Sequence, residues 1–443
     1  MRTAVLDRIK PTQAEREKMA EVSASLMARI QDLAGERSLA IKPILVGSAA
    51  RGTWLANDHD LDIFLGVAPG DNLAAALEVA RAVAPQHEEK YAEHAYVHAR
   101  VDGYDVDLVP CYLVAAAADL QSAVDRTPFH AKYVSSRIQG REDEVLLLKQ
   151  FMKGVGVYGS ELKVGGFSGY LAELLILFYG SFAKVLQAAG SWRPGQRLDP
   201  EGHGTAKHIE PLIVVDPVDP GRNVAAALTL DKMLLFVCAC RAFLAGPDVD
   251  FFSPQRPDPL SDEQLSLLLE ARGTLPILID FEAPPVVEDV LYPQLRKAEE
   301  SISALLERSG FSVMRSDIAS YRDRALLLFE MEVWLLPAAA RRMGPPVWEA
   351  EHLARFLAAH PMPLSGPYIR EGKAVVEEPR AYPLAPDLLK AKLFGLSLGR
   401  HLGPALRRGY DIYCGREILQ IKDEGFRTFL AGFFEARLRI GLL

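Results

Sequence analysis

A multidomain chain, α/β in its N-terminal part and α+β in its C-terminal part with a helical stretch between, is the fold class the sequence predicts. Three observations carry it. At 443 residues the chain exceeds what one ordinary core serves, so about two to four domains are expected. Up to about residue 145 short apolar runs of strand type alternate with helical periodicity, and beyond it the spacing is mostly helical. Residues 246–259, which carry four prolines, then lead into a region where helices and strands alternate again. The domains implied are 1–145, 146–255 and 256–443.

Each element has its own signal. Residues 12–34 read as an amphipathic helix, with Met19, Val22, Leu26, Ile30 and Leu33 at helical spacing. Residues 44–46 are a strand that breaks at Gly47-Ser48 and continues through Ala49, Ala50 and Arg51 as a helix start. A turn at Asn57-Asp58 leads into a second strand, on which Asp60 and Asp62 share one face while Leu61 and Ile63 enter a core. Residues 72–83 form an alanine-rich helix capped by Asp71 or Asn72. Strands 96–100 and 104–109 make a hairpin across Val101-Asp102-Gly103, with Asp105 and Asp107 opposite Val106 and Leu108.

Helices follow over 142–154, 169–186 and 229–244, with an exposed loop at 190–208 and a turn-dense connection at 214–223. The third region offers helix 262–271, strand 275–281, helix 292–308, strands 311–315 and 325–334, a basic proline-bearing loop at 341–348 and helix 349–359. No repeat or low-complexity segment interrupts this order.

Composition narrows the class further. Hydrophobic content of 49% and charged content of 24% are those of a soluble globular protein. The most apolar stretch, 171–182, is too short for a membrane span, and the charged N-terminus lacks a signal-peptide apolar segment. Four cysteines make no disulfide framework, so a reducing cytoplasm and no membrane partner are expected. The net charge of −8 decides nothing about nucleic acid, because binding follows the clustering of basic residues rather than their sum.

Two carboxylates held side by side repel unless a cation lies between them. Asp60 and Asp62 therefore point to a divalent-metal site beside a phosphate-binding turn, and Asp107, on a strand placed next to theirs, adds a third acid. With Gly47-Ser48 at the head of a helix, this is the arrangement polymerase-like chemistry requires. Two Mg2+ ions would bridge the attacking hydroxyl, the α-phosphate and the leaving pyrophosphate, while Ser48 and nearby amides hold the departing phosphates. Asp58 and Asp105 share strand parity with these acids; Asp58 stands in a turn, where aspartate is common for local reasons. Arg51 in a first helical turn opposes the helix dipole, which favours a triphosphate partner. His94 and His98 are spaced i,i+4 but lack partner cysteines, so zinc is rejected; Cys238 and Cys240 fall in an apolar helix as core residues.

Assembled, Gly47-Ser48, Arg51, Asp60-Leu61-Asp62 and Asp107 make the chain resemble the nucleotidyltransferase superfamily. The stretches VDLVPCY (106–112), SAVDRTPFH (122–130), GFSGYLAELL (166–175), VVDPVDPGRNVAA (214–226), LYPQL (291–295) and RRMGPP (341–346) are similar to those of archaeal-type, class I CCA-adding enzymes. The likeness runs from about residue 40 to about 350. It implies a polymerase-β-like catalytic head at 1–145, a helical base-recognising neck at 146–255, and an α+β, RRM-like body and tail at 256–443 that bind the tRNA acceptor stem. The activity implied is template-independent addition or repair of the 3′-terminal CCA of tRNA from CTP and ATP, with two Mg2+ ions.

Carried over residue by residue, the resemblance makes Asp60, Asp62 and Asp107 the catalytic metal ligands. It makes Gly47, Ser48, Arg51, Thr127, His130, Lys149 and Tyr158 nucleotide contacts and Arg222 the base reader. Arg341 and Arg342, before the rigid Gly344-Pro345-Pro346, are expected to touch RNA phosphate. The chain departs from its relatives in two ways. Asp60 stands where the first metal acid is often glutamate, and the final ninety or so residues match poorly, so tail contacts are not carried over. The oligomeric state stays open, a homodimer included. A poly(A) polymerase or oligoadenylate-synthase-like enzyme shares the head, and a catalytically silent RNA-binding protein shares the scaffold; CTP use with arrest after CCA separates the first, and magnesium-dependent pyrophosphate release the second.

Overall fold

The computed structural model describes residues 1–91, 93–204, 208–254 and 257–434. The chain forms two compact units, one holding the described residues up to 254 and the other those from 257 onward.

The first unit opens with helices α1 (Arg2–Ile9) and α2 (Gln13–Glu36), then β1 (Lys42–Leu45), α3 (Gly47–Arg51), β2 (Asp60–Val67), α4 (Leu73–Val83), β3 (His87–Tyr91), β4 (Ala95–Val101) and β5 (Tyr104–Tyr112). The α2 start is a capping box: the Glu15 amide donates to Thr12 Oγ1 at 3.2 Å and the Thr12 amide to Glu15 Oε2 at 2.7 Å. Asn72 caps α4. The five strands lie in the order β1-β2-β5-β4-β3. Asp102 and Gly103, at φ 51° and 86°, join β4 to β5 by a two-residue turn whose positive φ values match the strand twist. Strands β2 and β5 run parallel, with Asp60 opposite Asp105 and Asp62 opposite Asp107. Leu61, Ile63, Val106 and Leu108 fill the other face, in one core with Met19, Val22, Leu26 and Ile30 of α2 and Ala76, Val79 and Ala80 of α4. Burial thus fixes the register, because a one-residue slip would send the aspartates into that core.

A second core is built by α5 (Thr127–Ser135), α6 (Glu142–Val155), α7 (Gly169–Tyr179), α8 (Phe182–Ala189), β6 (Gln196–Leu198), β7 (Leu212–Val214) and α9 (Leu230–Ala245). Phe151 is its hub, with the rings of Phe182, Phe236, Phe243, Phe251 and Phe252 at 5.4–6.1 Å. Two expectations need correction, and two elements went unread. The helix expected over 169–186 is two helices bent by 94°. Gly180 ends the first at φ 92°, and the Ser181 side chain caps the second by accepting from the Lys184 amide. Apolar periodicity continues on both sides of this break and hides it. The expected loop 190–208 contains β6, which pairs in parallel with β7 and buries Leu198; residues 205–207 lie outside the described residues. Neither α1 nor β3 was legible, α1 being short and charged and β3 a polar edge strand, HEEKY. Among the described residues no single helix is long and apolar enough to cross a membrane. The bent pair α7 and α8 passes that test together, yet Leu171, Leu174, Leu175, Val185 and Leu186 are buried in this core.

The second unit contains α10 (Asp262–Arg272), β8 (Leu275–Glu282), α11 (Glu288–Arg308), β9 (Ser312–Tyr321), β10 (Arg324–Val333), β11 (Ala339–Pro346), α12 (Ala350–Ala359), β12 (Ser365–Arg370), β13 (Lys373–Pro379), α13 (Ala385–Lys392), α14 (Leu402–Arg408), β14 (Tyr410–Cys414) and α15 (Glu424–Phe434). An antiparallel sheet, β14-β8-β10-β9, has α11 among the elements on one face and α15 among those on the other. A smaller sheet is ordered β11-β13-β12. Here the basic loop expected at 341–348 is largely strand. Arg341 and Arg342 pair with Glu377 and Val376 of β13, and the register shifts between Met343 and Pro346. Prolines, which cannot donate to a ladder, are tolerated at such an edge-strand irregularity.

Candidate active site

The β1–α3 turn lies directly against the acids. The Val46 amide donates to the Asp62 carbonyl at 3.0 Å, and Gly47 follows at φ 69°. A Cβ on Gly47 would stand 2.2 Å from Asp62 Oδ2, so the position requires glycine for both its conformation and its space. Gly47→Ala is expected to push the Asp62 carboxylate aside, cutting nucleotide incorporation at least about tenfold and stability by about 1–3 kcal/mol; incorporation assays and thermal melting check both.

Asp60, Asp62 and Asp107 share the sheet face that meets this turn. Burial, then the negative charges of Asp107 and Asp60, push the Asp62 carboxyl up to about 6, with Arg51 opposing. Burial also raises Asp60, followed by the charges of Asp58 and Asp105. Asp58 is itself engaged by Lys153, whose Nζ donates to its two oxygens at 2.9 and 3.2 Å. Asp107 Oδ1 lies 2.6 Å from His98 Nδ1, a contact the sequence reading did not foresee. Among the described residues, no group of three His, Cys, Asp or Glu side chains stands ready-gathered around one point for an ion. The donor chemistry nevertheless fits a hard divalent cation: all-oxygen ligands at neighbouring register positions, whose mutual repulsion a cation would relieve.

Behind the turn sits a buried ionic cluster centred on Glu173 of α7, which is 0% exposed. Its Oε1 accepts from Thr53 Oγ1 at 2.5 Å and from Arg51 Nε at 3.0 Å. Arg51 Nη2 lies 2.9 Å from Oε2, within ion-pair reach but at an angle that makes no hydrogen bond. Lys149 donates to the Thr53 carbonyl at 2.8 Å, with its Nζ 3.9 Å from Glu173 Oε1. Burial lowers the Lys149 pKa, and Glu173 opposes that shift. This corrects one expectation. Arg51 is the last residue of a five-residue helix rather than a first-turn cation, and its charge already has a carboxylate partner. Lys149 lies in the same interior, its side chain 4% exposed. Tyr158 is half-buried, with burial raising its phenol. A Cβ on Gly169 would stand 3.0 Å from the Tyr158 hydroxyl and 3.5 Å from Lys149 Nζ, so the start of α7 packs closely on both.

A third group forms around Asp216, which is also fully buried. Its Oδ2 is 2.9 Å from His130 Nε2 and accepts from Arg222 Nη1 at 2.8 Å; the Tyr170 hydroxyl is 3.5 Å from Oδ1. His130 stacks on Tyr170 at 4.3 Å. Burial alone would raise the Asp216 pKa. The His130 hydrogen bond and charge, the Val218 amide and Arg222 outweigh it together and hold the carboxyl down to about 2. Arg222 and Arg126 line a cleft of about 400 Å3 with Ser160, Ser168 and His208. Thr127 begins α5 beside Arg126, whose Nε is 3.5 Å from Asp219.

Four of the expected nucleotide residues therefore fall into two groups, each held by a buried carboxylate: Arg51 with Lys149 on Glu173, and His130 with Arg222 on Asp216. In the second unit Arg342 is ion-paired with Glu378 at 2.6 Å, and Arg341 is exposed on β11. Glu173 and Asp216 escaped the sequence reading. The signal for Glu173 was a lone acid inside the apolar run GYLAELLILFY.

A five-stranded sheet bearing these acids below a glycine-serine turn is matched over residues 28–130 by the family model described as nucleotidyltransferase domain. The class is thereby a nucleotidyltransferase. Residues 143–253 match the tRNA nucleotidyltransferase second domain, and 272–415 the CCA-adding enzyme C-terminal domain. The CCA-adding enzyme of Methanosarcina mazei is 45% identical, covering 97% of each chain, and that of Methanothermobacter thermautotrophicus 42%, covering 97% of this chain and 96% of the relative. A solved structure of the Cid1 poly(U) polymerase is similar at 13% identity and a TM-score of 0.46, covering 57% of this chain and 98% of that one. The chain belongs to the CCA-adding enzymes, and its activity is the addition of CCA to tRNA.

Proposed function

We propose that the tRNA 3′-hydroxyl attacks the α-phosphate of CTP or ATP at the face carrying Asp60, Asp62 and Asp107, with pyrophosphate leaving towards the Gly47-Ser48 turn. One observation carries this reading: Asp62 is opposite Asp107 in the parallel register while the Gly47 backbone rests on the Asp62 carboxylate. Asp60, Asp62 and Asp107 would hold two Mg2+ ions, which when bound neutralise the triphosphate and make the attacking hydroxyl more acidic. The His98 hydrogen bond orients Asp107. Ser48 and the amides of the turn donate to the departing phosphates. Behind them one carboxylate faces two cationic side chains, Arg51 and Lys149, and this excess presents positive potential to a triphosphate. Tyr158, Thr127 and His130 line the nucleotide, and Arg222 reads the base, its planar donors meeting the acceptors of cytosine or adenine.

Residues 1–145 serve as head, 146–255 as neck, and 256–443 as body and tail on the acceptor stem. Arg341, free of the Glu378 pairing that occupies Arg342, is the better placed of the two for RNA phosphate. With tRNA, CTP and ATP as partners, the enzyme works in the cytoplasm.

A tRNA lacking its last three nucleotides, incubated with each triphosphate separately and then together, tests the reading. CTP alone is expected to add two residues, ATP one only after them, and UTP or GTP none. A long tract from ATP alone would identify a poly(A) polymerase instead. Arg222→Ala is expected to relax discrimination against UTP and GTP by about tenfold or more with little effect on cation dependence, as measured by kcat/KM for each nucleotide; unchanged discrimination removes Arg222 from the base site.

A further inference from the structure

The 214–223 connection is held rigid by its own main chain. The Asp216 amide donates to the Arg222 carbonyl at 3.0 Å, and the Arg222 amide to the Asp219 carbonyl at 2.9 Å. Asn223, also buried, accepts from the Val214 amide at 2.9 Å and donates to the Leu212 carbonyl at 3.0 Å. A loop closed in this way needs its Asp216 side chain only for the amides of Val218 and Asp219, at 3.0 and 3.4 Å. Yet the same carboxylate also takes His130 from α5 and the Arg222 guanidinium, and the Tyr170 hydroxyl of α7 lies near it. Both contacts meet at one oxygen, Oδ2, so a movement of either is felt by the other. Arg222 stays 37% exposed while its Nη1 is tied down, which leaves the rest of the fork oriented toward the cleft it lines.

The geometry points to Asp216 as the positioning residue that sets His130 and Arg222 together, so that one buried carboxylate couples the His130 contact with the nucleotide to the reading of the base. This deepens the function proposed above and rests on its reading that His130 and Arg222 touch the nucleotide. Asp216 does not touch substrate. It fixes the aim of two groups that do, and the three donors that compensate its burial keep it charged. A site that chooses bases without a template strand gains from this link, because a nucleotide seated wrongly against His130 then meets a misaimed arginine.

The test uses the full chain, tRNA lacking CCA, and steady-state kinetics for CTP and UTP in wild type, Asp216→Asn, Arg222→Ala, His130→Ala and the Asp216→Asn/Arg222→Ala double variant. Asp216→Asn is expected to raise the KM for CTP about tenfold and lower the CTP-over-UTP preference in kcat/KM about tenfold, the size of a lost charge-assisted hydrogen bond. In the Arg222→Ala background it should cost no further preference while still raising KM through His130. An unchanged preference in Asp216→Asn, or an equal loss in both backgrounds, overturns the coupling. If Arg222→Ala discriminates like wild type and His130→Ala keeps the wild-type KM, the underlying reading fails instead. Should Asp216→Asn not fold, a cycle of His130→Gln and Arg222→Gln leaves the carboxylate in place: non-additive effects on CTP use support the coupling, and additive ones overturn it.

Discussion

Asp62→Ala is expected to lower incorporation of CTP and of ATP by at least about a thousandfold while leaving tRNA binding within about twofold of wild type. Among the acids paired across β2 and β5, Asp62 has its carboxylate against the Gly47 backbone and its pKa pushed furthest upward, by burial and by Asp107 and Asp60. Such strain is tolerated only where a carboxylate has work to do, because an alanine here would ease the repulsion and stabilise the sheet. The variant should therefore melt at or above the wild-type temperature and still be inactive, since a lost stabilisation of several kcal/mol in the transition state corresponds to a thousandfold or more in rate. Incorporation assays, a gel-shift titration with tRNA, and Mn2+ binding followed by electron paramagnetic resonance separate the possibilities. Chelation of divalent cations should silence the wild type and change nothing in the variant. Retained incorporation removes Asp62 from the reaction; lost tRNA binding makes its role one of folding or docking.

How far the sequence revealed this site depended on the range of the interactions involved. The acid strands were legible because alternation is local: Leu61 and Ile63 must be buried, so Asp60 and Asp62 face the other way, and Asp102-Gly103 announces a tight turn. The pairing of Asp62 with Asp107 follows from the parallel register of β2 and β5, which no local pattern states. Arg51 and Lys149 were recognised as important, yet the group that holds them was not foreseen, because Glu173 is 122 residues from Arg51 in sequence. The same holds for Asp216, 86 residues from His130. At 341–348 the presence of Gly344-Pro345-Pro346 argued for a loop, but the buried run Ala374, Val375 and Val376 of β13 supplies a partner that imposes a strand. Turn chemistry and periodicity report what a segment prefers alone, and each of these outcomes was decided by a distant segment.

Glu173→Ala should be among the most destabilising single changes in the first unit. The carboxylate is fully buried against Arg51 and Lys149, whose side chains are only 8% and 4% exposed, so its removal leaves two cations in the interior with no counter-charge. Breaking a buried pair from one side costs about 3–5 kcal/mol, which for a unit of this size lowers the melting temperature by roughly 10 °C. Glu173→Gln separates charge from shape. The amide carbonyl can still accept from Thr53 Oγ1, but the counter-charge is gone, so most of the loss should remain. If the glutamine variant melts with the wild type, packing rather than ion pairing is what Glu173 provides. Kinetics adds a second distinction. Arg51 and Lys149 lie behind the glycine-serine turn and not in the Arg222 cleft, so Glu173→Gln should raise the KM for CTP and ATP by the same factor and leave the preference over UTP and GTP intact. A carboxylate that steadies the triphosphate end alone gives equal factors for every base, whereas unequal factors would show that the two buried groups act as one.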